Sequence, residues 1–328
     1  MKNNISCWVM TTGEAGMRSQ VIGLAERLTN SFTEKTISLN SPWRWLPGHM
    51  APFVLSPLAH GGDDLTPPWP DLLITCGRRS VALSIAIKKA SKGKTFTVHI
   101  QDPRVPTTYF DVVTCPLHDR ISGPNVYSTM GALHKVTSEK LSEAKKQFSQ
   151  MFSSLPHPLV AVLIGGNSKS YSLTDTIAEK IAVQVQQLDQ RGYGIVLSYS
   201  SRTPQNAKSI INKQLAGTNV FIWDGNGANP YLGMLALADY IIVTSDSASM
   251  VSEAAATGKP VMTIALEGGS KKFDAFHAMM CEQGYISSFD GELSNLGKTI
   301  LDETGRVAML ISENMEKYQS SHQPVSPA

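Results

Sequence analysis

Short β-rich runs alternate with stretches of helical period along almost the whole chain, and this alternation restarts after a proline-bearing break. A chain written this way folds as parallel α/β units. In the first half the predicted strands are Cys7–Thr11, Leu72–Cys76, Thr95–Ile100 and Asp111–Thr114. Between the first two, Val21, Leu24, Ala25 and Leu28 fall at i, i+3, i+4, i+7, which predicts a helix over 20–28, and Ser80–Ala90 reads as a second apolar helix. The stretch Asn40–Pro70 is rich in Pro, Gly and Trp without a period and reads as an extended excursion or mobile loop. A polar helix over 137–150 and the prolines of Ser153–Pro158 then suggest a linker.

The second run predicts strands at 159–164, 194–199, 220–223, 240–244 and 261–265, with helices at 174–188, 204–215, 230–238, 248–257 and 272–283 between and after them. A helical tail covers 296–318. The expectation is two Rossmann-like domains facing across a cleft: an acceptor domain at 1–155, a nucleotide-sugar domain at 156–300, and a C-terminal helix and tail at 301–328. At 328 residues and 42% hydrophobic content, the chain has the length and apolar material for two cores.

Several chemistries are absent from the sequence. Cys7, Cys76, Cys115 and Cys281 lie far apart with no Cys-x-x-Cys, so neither a disulfide framework nor a zinc site is expected, and no metal or cofactor is predicted. Gly93-Lys94-Thr95 has Lys88 where a phosphate loop needs its first glycine, and Gly225-Asn226-Gly227 lacks the third glycine of a dinucleotide fingerprint. No Gly-x-Ser-x-Gly, His-Glu-x-x-His or Asp-x-Asp occurs. No apolar run approaches the roughly 18 residues of a membrane span, and the N-terminal apolar patch is too brief for a secretory segment, so a cytoplasmic chain with reduced thiols is expected. Residues 1–155 carry 17 Lys/Arg against 11 Asp/Glu, whereas residues 156–328 carry 12 against 16. The basic first half suits an anionic partner, such as a phosphorylated substrate or the inner face of the cytoplasmic membrane. Without dense Lys/Arg clusters interleaved with aromatics, nucleic acid is not an expected partner.

What remains is a set of polar turns, each just after a strand, where open α/β sheets bind ligands. Gly13-Glu14-Ala15-Gly16 lets a ligand approach backbone N–H groups. Gly165-Gly166-Asn167-Ser168-Lys169 fits a phosphate or a base edge. Thr203 as N-cap and Pro204 as first helical residue set a helix start, where Arg202 places a positive charge that asks for an anion. Thr244-Ser245-Asp246-Ser247-Ala248-Ser249 crowds hydroxyls around another helix start, and Glu253 lies one to two turns inside, suited to ribose hydroxyls.

Thr244-Ser245-Asp246-Ser247, Glu253-Ala254-Ala255 and Gly258-Lys259-Pro260-Val261 resemble the donor-site signature of GT-B glycosyltransferases, distantly the murein N-acetylglucosaminyltransferase. With Gly13–Arg18 and Gln20, Gly77-Arg78-Arg79-Ser80, His99–Arg104, His118-Asp119, Gly131-Ala132-Leu133 and Ser201-Arg202-Thr203, the chain more closely resembles the bacterial "mitochondrial fission" family grouped with those enzymes. That resemblance implies an inverting, metal-independent transferase moving a sugar from a nucleotide-sugar donor to an envelope glycan or lipid-linked acceptor. It implies that Glu253 holds the donor ribose. The donor set is then Gly165, Gly166, Asn167, Ser168, Arg202, Ser245, Ser247 and Glu253, and Gly13, Gly16, Arg18, Arg78 and Arg104 meet the acceptor. Glu14 stands where the murein enzyme carries a His. Glu14 or Asp102 is the candidate base, with His99, His118 and Asp119 next. A non-catalytic adaptor and a nucleotide-sugar 2-epimerase are the alternatives.

Overall fold

The computed structural model describes residues 5–41, 43, 55 and 62–322. The greater part of the predicted excursion at 40–70 lies outside them. In chain order the elements are β1 (Cys7–Thr11), α1 (Ala15–Leu28), β2 (Thr33–Thr36), β3 (Leu72–Cys76), α2 (Val81–Ala90), β4 (Phe96–Ile100), β5 (Val112–Pro116) and β6 (Val126–Thr129). Then come α3 (Ser138–Phe152), β7 (Leu159–Ile164), β8 (Tyr171–Ser172), α4 (Asp175–Gln190), β9 (Gly194–Tyr199), α5 (Gln205–Gln214), β10 (Phe221–Ile222), α6 (Tyr231–Leu237) and β11 (Tyr240–Thr244). The last are α7 (Ala248–Ala255), β12 (Val261–Ile264), β13 (Glu267–Gly268), α8 (Lys271–Glu282), β14 (Ser287–Ser288) and α9 (Glu303–His322).

The chain divides into two compact units, 1–135 with 302–328 and 136–301. This corrects both expected boundaries. The polar helix α3 joins the second unit because its apolar residues find partners there: the Phe152 ring meets Phe221 edge-on at 5.2 Å, and Phe148 is buried so close to Gly233 that a Cβ would stand 2.6 Å from it. The tail returns to the first unit, where Val307, Ile311 and Met315 of α9 share a core with Val21, Leu24 and Leu28 of α1.

Unit 1 is a six-stranded sheet in the order β2-β1-β3-β4-β5-β6, parallel throughout. Leu72, Ile74 and Cys76 of β3 face the α1/α9 core, and Leu73 packs on the opposite face with Ala82, Leu83 and Ile87 of α2. Strands buried on both faces explain the continuous apolar runs of the sequence. Unit 2 is also six-stranded and parallel, in the order β10-β9-β7-β11-β12-β14, with β8 and β13 paired antiparallel beside it. Val160, Val162 and Ile164 of β7 pack against Ile181, Val185 and Leu188 of α4 and Ile211 of α5.

Candidate functional site

Strand order reverses direction once in each sheet. In unit 2 the reversal lies between β7 and β11, and in unit 1 between β1 and β3. The crevice outside the carboxyl ends of such a pair is where open α/β sheets hold ligands. The turns singled out in the sequence stand at these two places.

In unit 2 the turn after β7 is more committed than its composition suggests. The Gly165 N–H donates to Thr244 Oγ1 at 2.7 Å, the Gly166 N–H to Asp246 Oδ2 at 3.0 Å, the Asn167 N–H to the Arg202 carbonyl at 3.2 Å and the Ser168 N–H to the Tyr171 carbonyl at 2.9 Å. Asn167 Oδ1 accepts from the Leu173 N–H, and Ser168 Oγ from the N–H groups of Ser170 and Tyr171. These N–H donors, read from the sequence as fitting a phosphate or a base edge, already hold the turn together. Gly165 is required by close approach, since a Cβ there would stand 2.0 Å from Asp246 Oδ1.

The next turn also differs from expectation. Helix α5 begins at Gln205 with Pro204 as its N-cap, and Thr203 does not cap it. The Thr203 hydroxyl instead contacts the carbonyls of Ile164 and Gly165, tying this turn to the end of β7. The anion that Arg202 asks for is internal: its Nη2 lies 2.7 Å from Asp246 Oδ2, and its Nη1 donates to the Asn167 carbonyl at 3.3 Å.

After β11, Ser247 is the N-cap of α7, accepting from the Met250 N–H at 3.3 Å. Ser245 Oγ accepts from the Leu266 N–H at 3.1 Å, and its carbonyl lies 2.8 Å from His277 Nε2. The first N–H groups of α7 carry the usual positive end of a helix. Glu253, buried in that helix, accepts from the Tyr231 hydroxyl at 2.7 Å. Burial and the Glu253 carboxylate push the Tyr231 phenol well above its usual range, so it remains a donor. Burial lowers the His277 imidazole below its ordinary value. Sequence reasoning missed both Tyr231 and His277. Their signal was a polar ring inside an apolar helical pattern, indistinguishable there from a core position. A cavity of about 430 Å³ opens beside the ends of β9 and β10, lined by Tyr199, Gln205, Lys208, Asn212, Trp223 and Asp224 among others.

In unit 1, Glu14 occupies the N-cap position of α1 with its side chain exposed, and the Thr12 hydroxyl donates to its carboxylate. Gly13 and Gly16 flank it, and Gln20 Nε2 donates to the Gly16 carbonyl. Arg18 pairs with Glu34 of β2 at 2.7 Å, and that partner takes much of the charge expected for an acceptor. Arg78 stands exposed in the turn after β3, and no carboxylate pairs with it among the described residues. Asp102 and Arg104 are each other's partners: the Asp102 carboxylate accepts from the Arg104 N–H at 2.8 Å and pairs with its guanidinium. His99 is fully buried within β4, stacked on Phe110 with Nδ1 2.9 Å from Thr75 Oγ1. Burial drops its pKa to about 3, and with no exposed surface it is set aside as a base. His118 and Asp119 lie in a 3-10 turn after β5.

Among the described residues no group of three or more His, Cys, Asp or Glu is placed to hold a metal ion, and no helix is long and apolar enough to cross a membrane.

The family model described as mitochondrial fission ELM1 matches residues 15–315. The mitochondrial fission protein ELM1 of Arabidopsis thaliana is 30% identical over 246 residues, covering 68% of this chain but only 58% of the plant protein. Uncharacterized protein RP120 of Rickettsia prowazekii is 30% identical over 351 aligned positions, covering 94% of this chain and 98% of that one. Among solved structures, UDP-GlcNAc 2-epimerase from Neisseria meningitidis bound to UDP-GlcNAc superposes with a TM-score of 0.53 at 15% identity, covering 95% of this chain and 99% of that one. MurG of Acinetobacter baumannii gives 0.51 at 11% identity, with 94% and 99% covered. At such identities the likeness carries the fold, which is α/β of the GT-B type.

Proposed function

This chain belongs to the mitochondrial fission ELM1 family, and from that premise we propose that it is an inverting, metal-independent glycosyltransferase whose unit 2 binds a nucleoside-diphosphate sugar. One observation carries the reading. At the carboxyl ends of β7, β9 and β11 stand a fixed guanidinium (Arg202) and a capped helix start (Ser247 on α7), and the same helix carries, further along, a buried carboxylate (Glu253) held by a phenol. The diphosphate is met by Arg202 and the first N–H groups of α7, and the ribose by Glu253 beside Tyr231. Gly165, Gly166, Asn167, Ser168 and Ser245 build the wall that holds these groups.

Loss of the nucleoside diphosphate leaves negative charge on the leaving oxygen, and a guanidinium with oriented N–H donors stabilises it without a metal. Unit 1 receives the acceptor, an envelope glycan or lipid-linked saccharide. The excess of basic residues in 1–155 supports an anionic one. Glu14 takes the acceptor proton: its carboxylate is exposed with a neutral hydroxyl partner, whereas Asp102 is spent on Arg104. Arg78 is the acceptor-side cation with charge to spare.

The test is a thermal-shift screen of UDP, GDP, ADP, CMP and dTDP sugars, followed by transfer assays in EDTA. A donor at about 100 times its Kd adds about 2.7 kcal/mol of stability. Absence of a shift with every nucleotide would replace this reading with a non-catalytic adaptor. Epimerisation of the free nucleotide sugar without acceptor would replace it with a 2-epimerase.

A further inference from the structure

Asp246 has no role in the reading above, yet it is the most fully enclosed charge at this site. Its side chain is 0% exposed. One carboxylate oxygen accepts from the Thr244 hydroxyl at 2.7 Å, and the other accepts from the Gly166 N–H at 3.0 Å and pairs with Arg202 at 2.7 Å. Nothing in a parallel sheet demands a charge here, since apolar residues fill such space without the cost of stripping water from ions. Room has nonetheless been cleared for it, because only the missing side chain of Gly165 lets the carboxylate sit where it does. Its partner is different: the Arg202 side chain is 39% exposed. Held by Asp246 on one side and by the Asn167 carbonyl on the other, the guanidinium keeps the rest of its planar N–H fork available.

We propose that Asp246 is a positioning residue for diphosphate recognition: it locks the Arg202 guanidinium at the carboxyl end of β7 so that the free edge of the fork meets the diphosphate. This rests on the donor-site reading of unit 2. The same carboxylate fills the anion place that a glycine turn at a strand end otherwise offers. Phosphate therefore cannot take the Gly166 N–H and is received on the outer side of Arg202 and at the start of α7. A long arginine released from its anchor would have to be ordered by the ligand, and fixing it beforehand removes that cost.

Electrostatics makes the sign of the test decisive. A carboxylate near a diphosphate repels it, so by charge alone Asp246→Asn would tighten binding. Positioning requires the opposite. Calorimetric titration of the full chain compares the parent, Asp246→Asn, Arg202→Ala and the double variant. The ligands are whichever of UDP, GDP, ADP or dTDP the parent binds, and the matching nucleoside. Asp246→Asn should weaken the diphosphate about tenfold while leaving the nucleoside within about twofold, and should add no further loss in the Arg202→Ala background. If Asp246→Asn does not fold, Arg202→Lys keeps the buried charge pair but discards the fork, and the same selective loss is expected. Tighter or unchanged diphosphate binding, equal losses for both ligands, or losses that multiply with Arg202→Ala would overturn the assignment. A parent that binds none of the nucleotides would overturn the donor-site reading itself, and the assignment with it.

Discussion

Units 1 and 2 are each a six-stranded parallel sheet with one reversal of strand order, and they treat that place in opposite ways. In unit 2 the polar groups at the reversal are mostly bonded to one another: Thr244, Asp246, Gly166 and Arg202 form one connected set, and Ser245 and Ser247 each hold a backbone N–H. In unit 1 the charges stand outside. Glu14 and Arg78 are exposed, and Asp102 and Arg104 close on each other within one turn. A shared scaffold thus carries one rigid, pre-ordered surface and one of loosely held charged side chains. Under the proposed function, the pre-ordered surface of unit 2 suits a diphosphate and the exposed charges of unit 1 suit an acceptor.

The largest effect expected is on turnover. Glu14→Gln keeps size and removes basicity, so the rate of transfer should fall about 10²–10⁴-fold while donor affinity stays at the parental value. Steady-state kinetics with the donor found by the screen decides this, and parental turnover would move the base away from unit 1's exposed carboxylate. The contrast in rigidity is then tested by two matched substitutions. Gly165→Ala drives a Cβ into the Asp246 carboxylate and should cost about 3 kcal/mol in urea unfolding. Gly13→Ala meets nothing nearer than 3.5 Å and bears only the strain of a φ of +93°, about 1 kcal/mol. Equal costs would erase the distinction between the units.

Glu253→Ala should weaken nucleoside and nucleoside diphosphate alike, by about tenfold, if its proposed partner is ribose rather than phosphate. A loss confined to the diphosphate would reassign the residue. The last prediction is a pH dependence in unit 1. The folded-state pKa of His99 lies at about 3, below the value of 6.5 that an unfolded chain would show. Below pH 6.5 the unfolded chain takes up a proton that the folded one refuses, so stability is full above that pH. It declines on acidification by about 1.4 kcal/mol per pH unit until the folded pKa is reached. The difference in urea-unfolding free energy between the parent and His99→Gln should stay constant from pH 7.5 to 6.5 and change by about 1.4 kcal/mol per pH unit below it; parallel curves throughout would mean that another group governs the acid limb.

Much of this was legible in the sequence where an apolar run met a polar turn. The bounds of β1, β3, β7, β9 and β11 follow directly from such runs, and Arg202, Ser247 and Glu253 stand where the turns after strands place them. The edge strand β2, Thr-Glu-Lys-Thr, was not legible: it is paired on one side only and none of its residues is buried, so no pattern betrays it. The predicted helix over 296–318 begins instead at Glu303. Before it, Gly297 takes a φ of +76° and its carbonyl accepts from the Val261 N–H, while Asp302 Oδ1 caps the new start through the Gly305 N–H. Asp246 was quoted within its motif but its role was hidden, because that role is made by Gly166 and Arg202, residues far away in sequence. Composition records which groups exist; only folding says which have already been spent on each other.

The return of α9 to unit 1 sets an order on the birth of the molecule. As the chain leaves the ribosome, residues 136–301 emerge as one continuous stretch and have every strand and helix of unit 2 in hand before α9 has been made. Unit 1, though it is translated first, can pack Val21, Leu24 and Leu28 on its strands but lacks the rest of that core until Val307, Ile311 and Met315 arrive. The first half of the protein is therefore the last to be finished, and a nascent chain stalled before residue 302 carries an open apolar surface that chaperones would have to shield.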